Sequence, residues 1–131
     1  MAAVAVNSRD VSAIPQRVND AAGVLAHRVL VAGTGVDQVK RPAAANAAKL
    51  IGVAGHDAAD TEDVSVYSHG VMNLVAASAI AVGDYVNVAD AEGRVKTVSE
   101  TAGTQNVVGI ARGVATANGQ LIKVDLQFHL R

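Results

Sequence analysis

No cysteine occurs among the 131 residues, which removes disulfides, thiolate metal sites and a cysteine nucleophile together and leaves the redox compartment open. Tryptophan is also missing, and aromatic residues make up 2% of the chain, as Tyr67, Tyr85 and Phe128. Aromatic side chains bury ~150–250 Å² each and dominate most cores and ligand pockets, so their scarcity points to a thin core of small side chains and argues against an enzyme pocket. There is no excess of either charge sign: 11 Lys and Arg stand against 12 Asp and Glu, a formal net charge of −1. No global field therefore draws the protein to nucleic acid or to anionic lipid. Residues Met1 to Asp10 lack the basic start and the apolar run of ~7–15 residues of a signal peptide. No stretch approaches the ~18 uninterrupted apolar residues of a membrane helix. The expectation is a protein that folds in the cytosol where it is made.

What is present is aliphatic. Half of the residues are hydrophobic, and Ala and Val carry most of that fraction. A chain of this length is one domain's worth and buries somewhat under ~70% of the surface its unfolded form exposes. With small side chains, further burial has to come from partners, as in a subunit that completes its core by assembling.

One stretch organises the rest. Leu50-Ile51-Gly52-Val53-Ala54-Gly55 returns near the C-terminus as Val107-Val108-Gly109-Ile110-Ala111-Arg112-Gly113, with the two glycines 57 residues apart. Each copy is followed by a polar loop and a strand-like run, Val64 to Tyr67 in the first and Leu121 to Leu126 in the second. Glycine inside a strand brings no side chain to pack. Its recurrence at one place suggests a bend, a bulge or a close backbone approach where a small barrel turns a corner.

Residues 1–27 mix Val and Ala with polar residues, and Pro15 interrupts any helical period. They read as an extended N-terminal arm, poorly buried on its own, with a weak amphipathic helix from Pro15 to His27 as the alternative. From Arg28 the texture is strand-like. Arg28 to Ala32 and Val36 to Lys40 flank the Gly33-Thr34-Gly35 turn as a hairpin, and Tyr85 to Val88 and Arg94 to Val98 form another around Ala91-Glu92-Gly93. The run Ala43 to Ala48 has the best intrinsic helix propensity and predicts one or two helical turns. Gln120 to Arg131 alternates strictly, Ile122, Val124, Leu126, Phe128 and Leu130 against polar neighbours, as a half-buried antiparallel strand does. About nine short strands result, and the predicted fold is all-β: a small barrel or sandwich over residues 28–131 with an extended arm over 1–27 and at most one or two short helices.

Chemistry is sparse. The four histidines, His27, His56, His69 and His129, show no metal-binding spacing. The acidic loop with Asp57, Asp60, Glu62 and Asp63 lacks the spacing of a calcium loop and reads as a solvated turn. Gly33-Thr34-Gly35 has no phosphate-binding continuation. Ser68 and His69 are strand neighbours that point to opposite faces, no nucleophile elbow is present, and Asp84 and Glu92 read as turn residues. No catalytic residue, metal site or cofactor is expected. A glycan- or carrier-type binding module is the alternative function, and it would have to use Tyr67, Tyr85 or Phe128.

The stretches Leu50-Ile51-Gly52-Val53, Ala81-Val82-Gly83-Asp84-Tyr85-Val86 with Glu92-Gly93-Arg94-Val95, and Val107-Val108-Gly109-Ile110-Ala111 with the strand from Leu121 to Leu126 resemble small capsid decoration, or cement, proteins of tailed bacteriophages. The likeness covers residues 28–127. It implies a compact β-barrel-like virion subunit, commonly trimeric, on the outer surface of the head, made in the host cytoplasm. Such a subunit stabilises the shell by bridging subunits of the major capsid protein and has no catalytic residues. Residues 1–27 lie outside the resemblance. Their arginines Arg9 and Arg17, with Arg28, are the expected contacts to the capsid or to a neighbouring subunit, the arm adding to a neighbour's sheet edge or reaching onto the shell.

Overall fold

The computed structural model describes residues 13–98 and 104–130, and all ten of its regular elements are strands. They are β1 (Ala13–Val18), β2 (Val29–Ala32), β3 (Gln38–Lys40), β4 (Leu50–Ala54), β5 (Asp63–Tyr67), β6 (Gly70–Val75), β7 (Tyr85–Val88), β8 (Val95–Thr97), β9 (Asn106–Ala111) and β10 (Leu121–Leu130). The first five close into a barrel in the order β1-β3-β2-β4-β5, and the second five form a sheet in the order β6-β10-β9-β7-β8. The all-β expectation holds, as two similar units rather than one barrel.

The two units are copies of one plan. In the first, Val53 and Ala54 of β4 face Tyr67 and Val66 of β5; in the second, Ile110 and Ala111 of β9 face Asp125 and Val124 of β10. Val29 and Leu30 pair with Val53 and Gly52, then the register slips; Tyr85 and Val86 pair with Ile110 and Gly109, then the register slips at the same place. Loops follow suit. The bridge Val24↔Ala58 returns as Ile80↔Ala115, and the bonds from Thr61 N–H to the Val18 carbonyl and from Gly119 N–H to the Ala76 carbonyl correspond. The glycine repeat seen in the sequence therefore marks a duplication of the whole five-stranded unit.

At both glycines the reason is a close approach. A Cβ at Gly52 would lie 2.5 Å from the Tyr67 carbonyl oxygen and 2.6 Å from Val66 Cγ1; one at Gly109 would overlap the equivalent Asp125 carbonyl and lie 2.9 Å from Val124 Cγ1. Real Cβ atoms do not come so near, so only glycine lets the next strand cross there.

Packing repeats as well. The first barrel encloses Val18, Val24, Leu30, Val39, Ala54, Ala58, Val64 and Val66. Their counterparts Ala76, Ile80, Val86, Val95, Ala111, Ala115, Ile122 and Val124 lie inside the second unit. That second cluster also takes in Val29 and Val53 from the first unit, both fully buried, together with Leu74, Val88, Val108 and Leu126. β2 is thus buried on both faces, with Leu30 in its own barrel and Val29 against the neighbouring unit.

Two local expectations are corrected. β1 is extended, as read, but it falls inside the segment taken as an arm and belongs to the barrel of its own chain. It runs antiparallel to β5 from Ala13↔Tyr67 to Arg17↔Asp63 and parallel to β3 at Arg17 and Val18. Pro15 is tolerated because Arg17 N–H, two residues on, points away from β5 to the Asp37 carbonyl; by strand alternation the Pro15 nitrogen also faces the side that β3 does not reach, where no donor is required. Residues 1–12 lie outside the described residues. The predicted helix over 43–48 is also replaced by bends and a turn. Asn46 takes φ 55°, its N–H donates to the Val88 carbonyl, its Nδ2 donates to the Thr104 carbonyl and its Oδ1 accepts from Asn106 N–H. These tertiary bonds, tying the first unit to the second, outweigh the few tenths of a kcal/mol per residue that alanine propensity offers.

Candidate docking surface

The two units differ most at one seam. In the first, the gap between β1 and the turn before β3 is closed by a single backbone bond, from Arg17 N–H to the Asp37 carbonyl at 2.9 Å. In the second, the equivalent gap between β6 and the β7–β8 turn is held open by a segment of the first unit. Val75 N–H donates to the His27 carbonyl at 3.2 Å and Val29 N–H donates to the Gly93 carbonyl at 2.9 Å. The His27 ring Nδ1 lies 3.0 Å from the Asn73 carbonyl. Arg28 reaches over the turn, its Nη1 donating to the Glu92 carbonyl at 3.3 Å and pairing with the Glu92 carboxylate at 3.7 Å. Gly93 is glycine because a Cβ there would meet the Val29 backbone at 2.5 Å and because its φ is 79°.

The turn beneath is braced by Asp90, whose carboxylate accepts from Arg94 Nε at 2.8 Å and pairs with its Nη2 at 2.6 Å. The hydrogen bond to Asp90 holds the Arg94 guanidinium above its ordinary pKa range.

On the first unit the corresponding surface is a shallow depression of about 310 Å³ lined by Pro15, Arg17, Val36, Asp37, Gln38 and Asp63. Arg17 is exposed and makes no ion pair among the described residues. Val36 is 90% exposed, and Ile14, on β1, is 54% exposed.

The three arginines singled out in the sequence are therefore separated in role. Arg17 lines the depression, Arg28 is spent within the chain at the seam with its side chain 19% exposed, and Arg9 lies outside the described residues. The sequence reading missed Asp37, Gln38 and Asp63 as neighbours of Arg17 on one surface. Their one signal was the hairpin equivalence, Asp37 standing where Gly93 stands and sharing its positive φ.

The remaining candidates resolve into structural roles. Asp57 Oδ1 accepts from Ala26 N–H, Asp60 Oδ1 from Asp20 N–H and Glu62 Oε1 from Ala59 N–H, so three acidic side chains of this loop cap backbone donors. Asp84 Oδ2 accepts from Ala81 N–H and from the Thr97 hydroxyl. Ser68 and His69 form the short link from β5 to β6. Tyr67 packs at Gly55, Tyr85 stands edge-on to His129 with ring centroids 5.9 Å apart, and Phe128 packs on the second core. The three aromatics of the alternative binding reading thus serve three different places. Among the described residues no group of three or more His, Asp or Glu side chains could hold a metal ion.

Comparison with solved structures finds the same architecture in the crystal structure of the head fiber gp8.5 N base of bacteriophage phi29, with a TM-score of 0.64 and 24% identity over 90% of this chain and 95% of that one. At this identity the likeness is one of fold. No curated protein matches. A duplicated, small-residue β unit whose polar side chains cap turns and brace a seam is the build of a structural component, and the family model for phage cement proteins matches residues 7–126. On that match, which spans nearly the whole chain, the protein belongs to the phage cement protein family and is a structural component of the phage head.

Proposed function

We propose that this protein attaches to the outer surface of the phage head as a homo-oligomer, a trimer being favoured, and stabilises the shell by bridging subunits of the major capsid protein. The family match over residues 7–126 carries the reading. The physical chemistry supports it. A closed barrel and a second five-stranded sheet, both with aliphatic cores, and a near-neutral net charge make a weakly charged bracket. Each modest contact, repeated around a symmetric oligomer, gives long residence through effective concentration. Arg17, exposed and unpaired on the depression, and Arg9 on the preceding segment supply cationic contacts to the shell or to a neighbouring subunit. Arg28 acts indirectly, by holding the two units in one orientation. The protein has no enzymatic role in this reading.

The test is co-sedimentation of the purified protein with expanded, undecorated heads of the parent phage, counting copies per shell. Saturation at a fixed multiple of the capsid lattice, with heads then surviving heat or chelator better, is the expected result. Heads that take up none of the protein would remove the reading. Removing residues 2–12 tests the arm without touching β1; a deletion reaching residue 20 would take out a barrel strand and report on folding instead.

A further inference from the structure

We infer that the first unit binds the second unit of another copy of this chain, through the surface by which the second unit already receives the first within one chain. This deepens the oligomeric part of the proposed function.

The duplication supplies the argument, because it shows one surface twice, once covered and once bare. In the second unit Val108 is fully buried, and Met72 partly buried, against the cluster that also holds Val29 and Val53 of the first unit. By strand register their counterparts are Ile14 and Ile51, and these are 54% and 37% exposed. Large apolar side chains are bare on the first unit at the positions where the second unit has covered them.

The inserting side is also duplicated. Val29 and Val53, which enter the second unit, correspond to Tyr85 and Ile110, apolar and half-buried rather than fully buried. The segment His27-Arg28, which opens the seam, corresponds to Gly83-Asp84, and His27 and Gly83 share a positive φ of 63° and 89°. The chain therefore carries a bare receiving face on its first unit and, on its second, a half-buried copy of the inserting face, where Tyr85 already stands edge-on to His129.

Hydrogen bonding favours the exchange. Opening the first unit's seam breaks one backbone bond, Arg17 N–H to the Asp37 carbonyl, whereas the occupied seam of the second unit holds two at the same place. The equivalence sets Asp84 against Asp37, and Arg17, which lines the same depression and has no partner ion among the described residues, is the cation on hand to offset the two carboxylates. An interface that joins one face to a different face is heterologous, and it builds rings if the rotation closes and filaments if it does not.

Disulfide trapping tests the contact directly, since the chain has no cysteine of its own. Within one chain an ideal Cβ at Gly93 lies 3.1 Å from the Arg28 Cβ, close to the separation a disulfide spans; the equivalents across the proposed contact are Asp37 and Asp84. Purified full-length D37C and D84C, mixed and mildly oxidised, should give a disulfide-linked pair that neither gives alone. In light scattering, I14D and I110D should each be monomeric, and their mixture should stop at the mass of two chains, because each partner keeps one working face. Wild-type protein that stays monomeric at all concentrations, trapping no better in the mixture than in either variant alone, or I14D and I110D that fail to rescue each other would each overturn the inference. Trapping decides the matter even if an aspartate variant folds poorly. No heads enter these assays, so their failure leaves attachment to the capsid standing, and failure to bind heads leaves this contact standing.

Discussion

Replacing Gly109 by alanine should be the most damaging glycine-to-alanine change among the described residues. An added Cβ overlaps the Asp125 carbonyl oxygen and lies 2.9 Å from Val124 Cγ1. The obstacle is backbone in the middle of β10, which is paired with β6 on one side and β9 on the other. Relief requires β9 and β10 to part and weaken their ladder, so we expect a loss of about 3 kcal/mol, the upper end for overpacking. For a chain of this size that corresponds to a fall in melting temperature on the order of 10 °C. At Gly52 the clash is with the Tyr67 carbonyl and Val66 Cγ1 at 2.5 and 2.6 Å. Tyr67 is the last residue of β5 and can give more easily, so G52A should cost roughly half as much, within the usual overpacking range. The controls are G83A and G119A, where nothing lies within 4 Å and only the positive φ is strained, at about 1 kcal/mol. Urea and thermal melts followed by circular dichroism rank the four. If G109A melts with or above G119A, the close-approach account of the repeated glycine is wrong.

Further outcomes follow from the same contacts. Leu30→Ala empties the first barrel at a fully buried site and should cost about 2–4 kcal/mol in urea unfolding. Val53→Ala, at the contact between units, should cost less, about 1–2 kcal/mol, and should raise proteolysis near the seam before the barrel itself melts. Arg94→Gln loosens the turn that Asp90 braces. Its pKa is raised, so the stability it contributes is present throughout the range below the unfolded arginine pKa and would be lost only at still more alkaline pH. Melts at pH 5 and pH 9 should therefore show the same small deficit, within ~1 kcal/mol; a deficit that changes between them would contradict that assignment. Arg17→Glu leaves an exposed position on β1 and should keep the wild-type melt while lowering the number of copies retained per head at saturation; full occupancy would take Arg17 out of the attachment surface.

Much of the fold is legible in the residues because strand periodicity and turn chemistry are local. The alternation from Ile122 to Leu126 appears as buried Ile122, Val124 and Leu126 between more exposed neighbours, and the turns at Gly33 and Gly93 do join hairpins. The errors also have local causes. Ala43 to Ala48 carries helix propensity, but Asn46 makes its bonds with Val88, Thr104 and Asn106, far along the chain. Pro15 and the polar residues around it look like an arm until β5 is placed beside them. For the candidate surface, Arg17 was visible as a charge but not its company, because Asp37 and Asp63 reach it only through the β1–β3 and β1–β5 pairings.

Composition and pattern by themselves determined an all-β chain with small-residue cores and a repeated glycine, since each of these depends on residue type and near-neighbour spacing. Tertiary structure alone decided that the repeat is a full duplication, that β1 closes its own barrel, and that His27 to Val29 hold one seam open while Arg17 and Asp37 close the other. Those outcomes rest on which strand edges find each other across 20 residues or more, and two units with nearly the same local code met that choice in different surroundings.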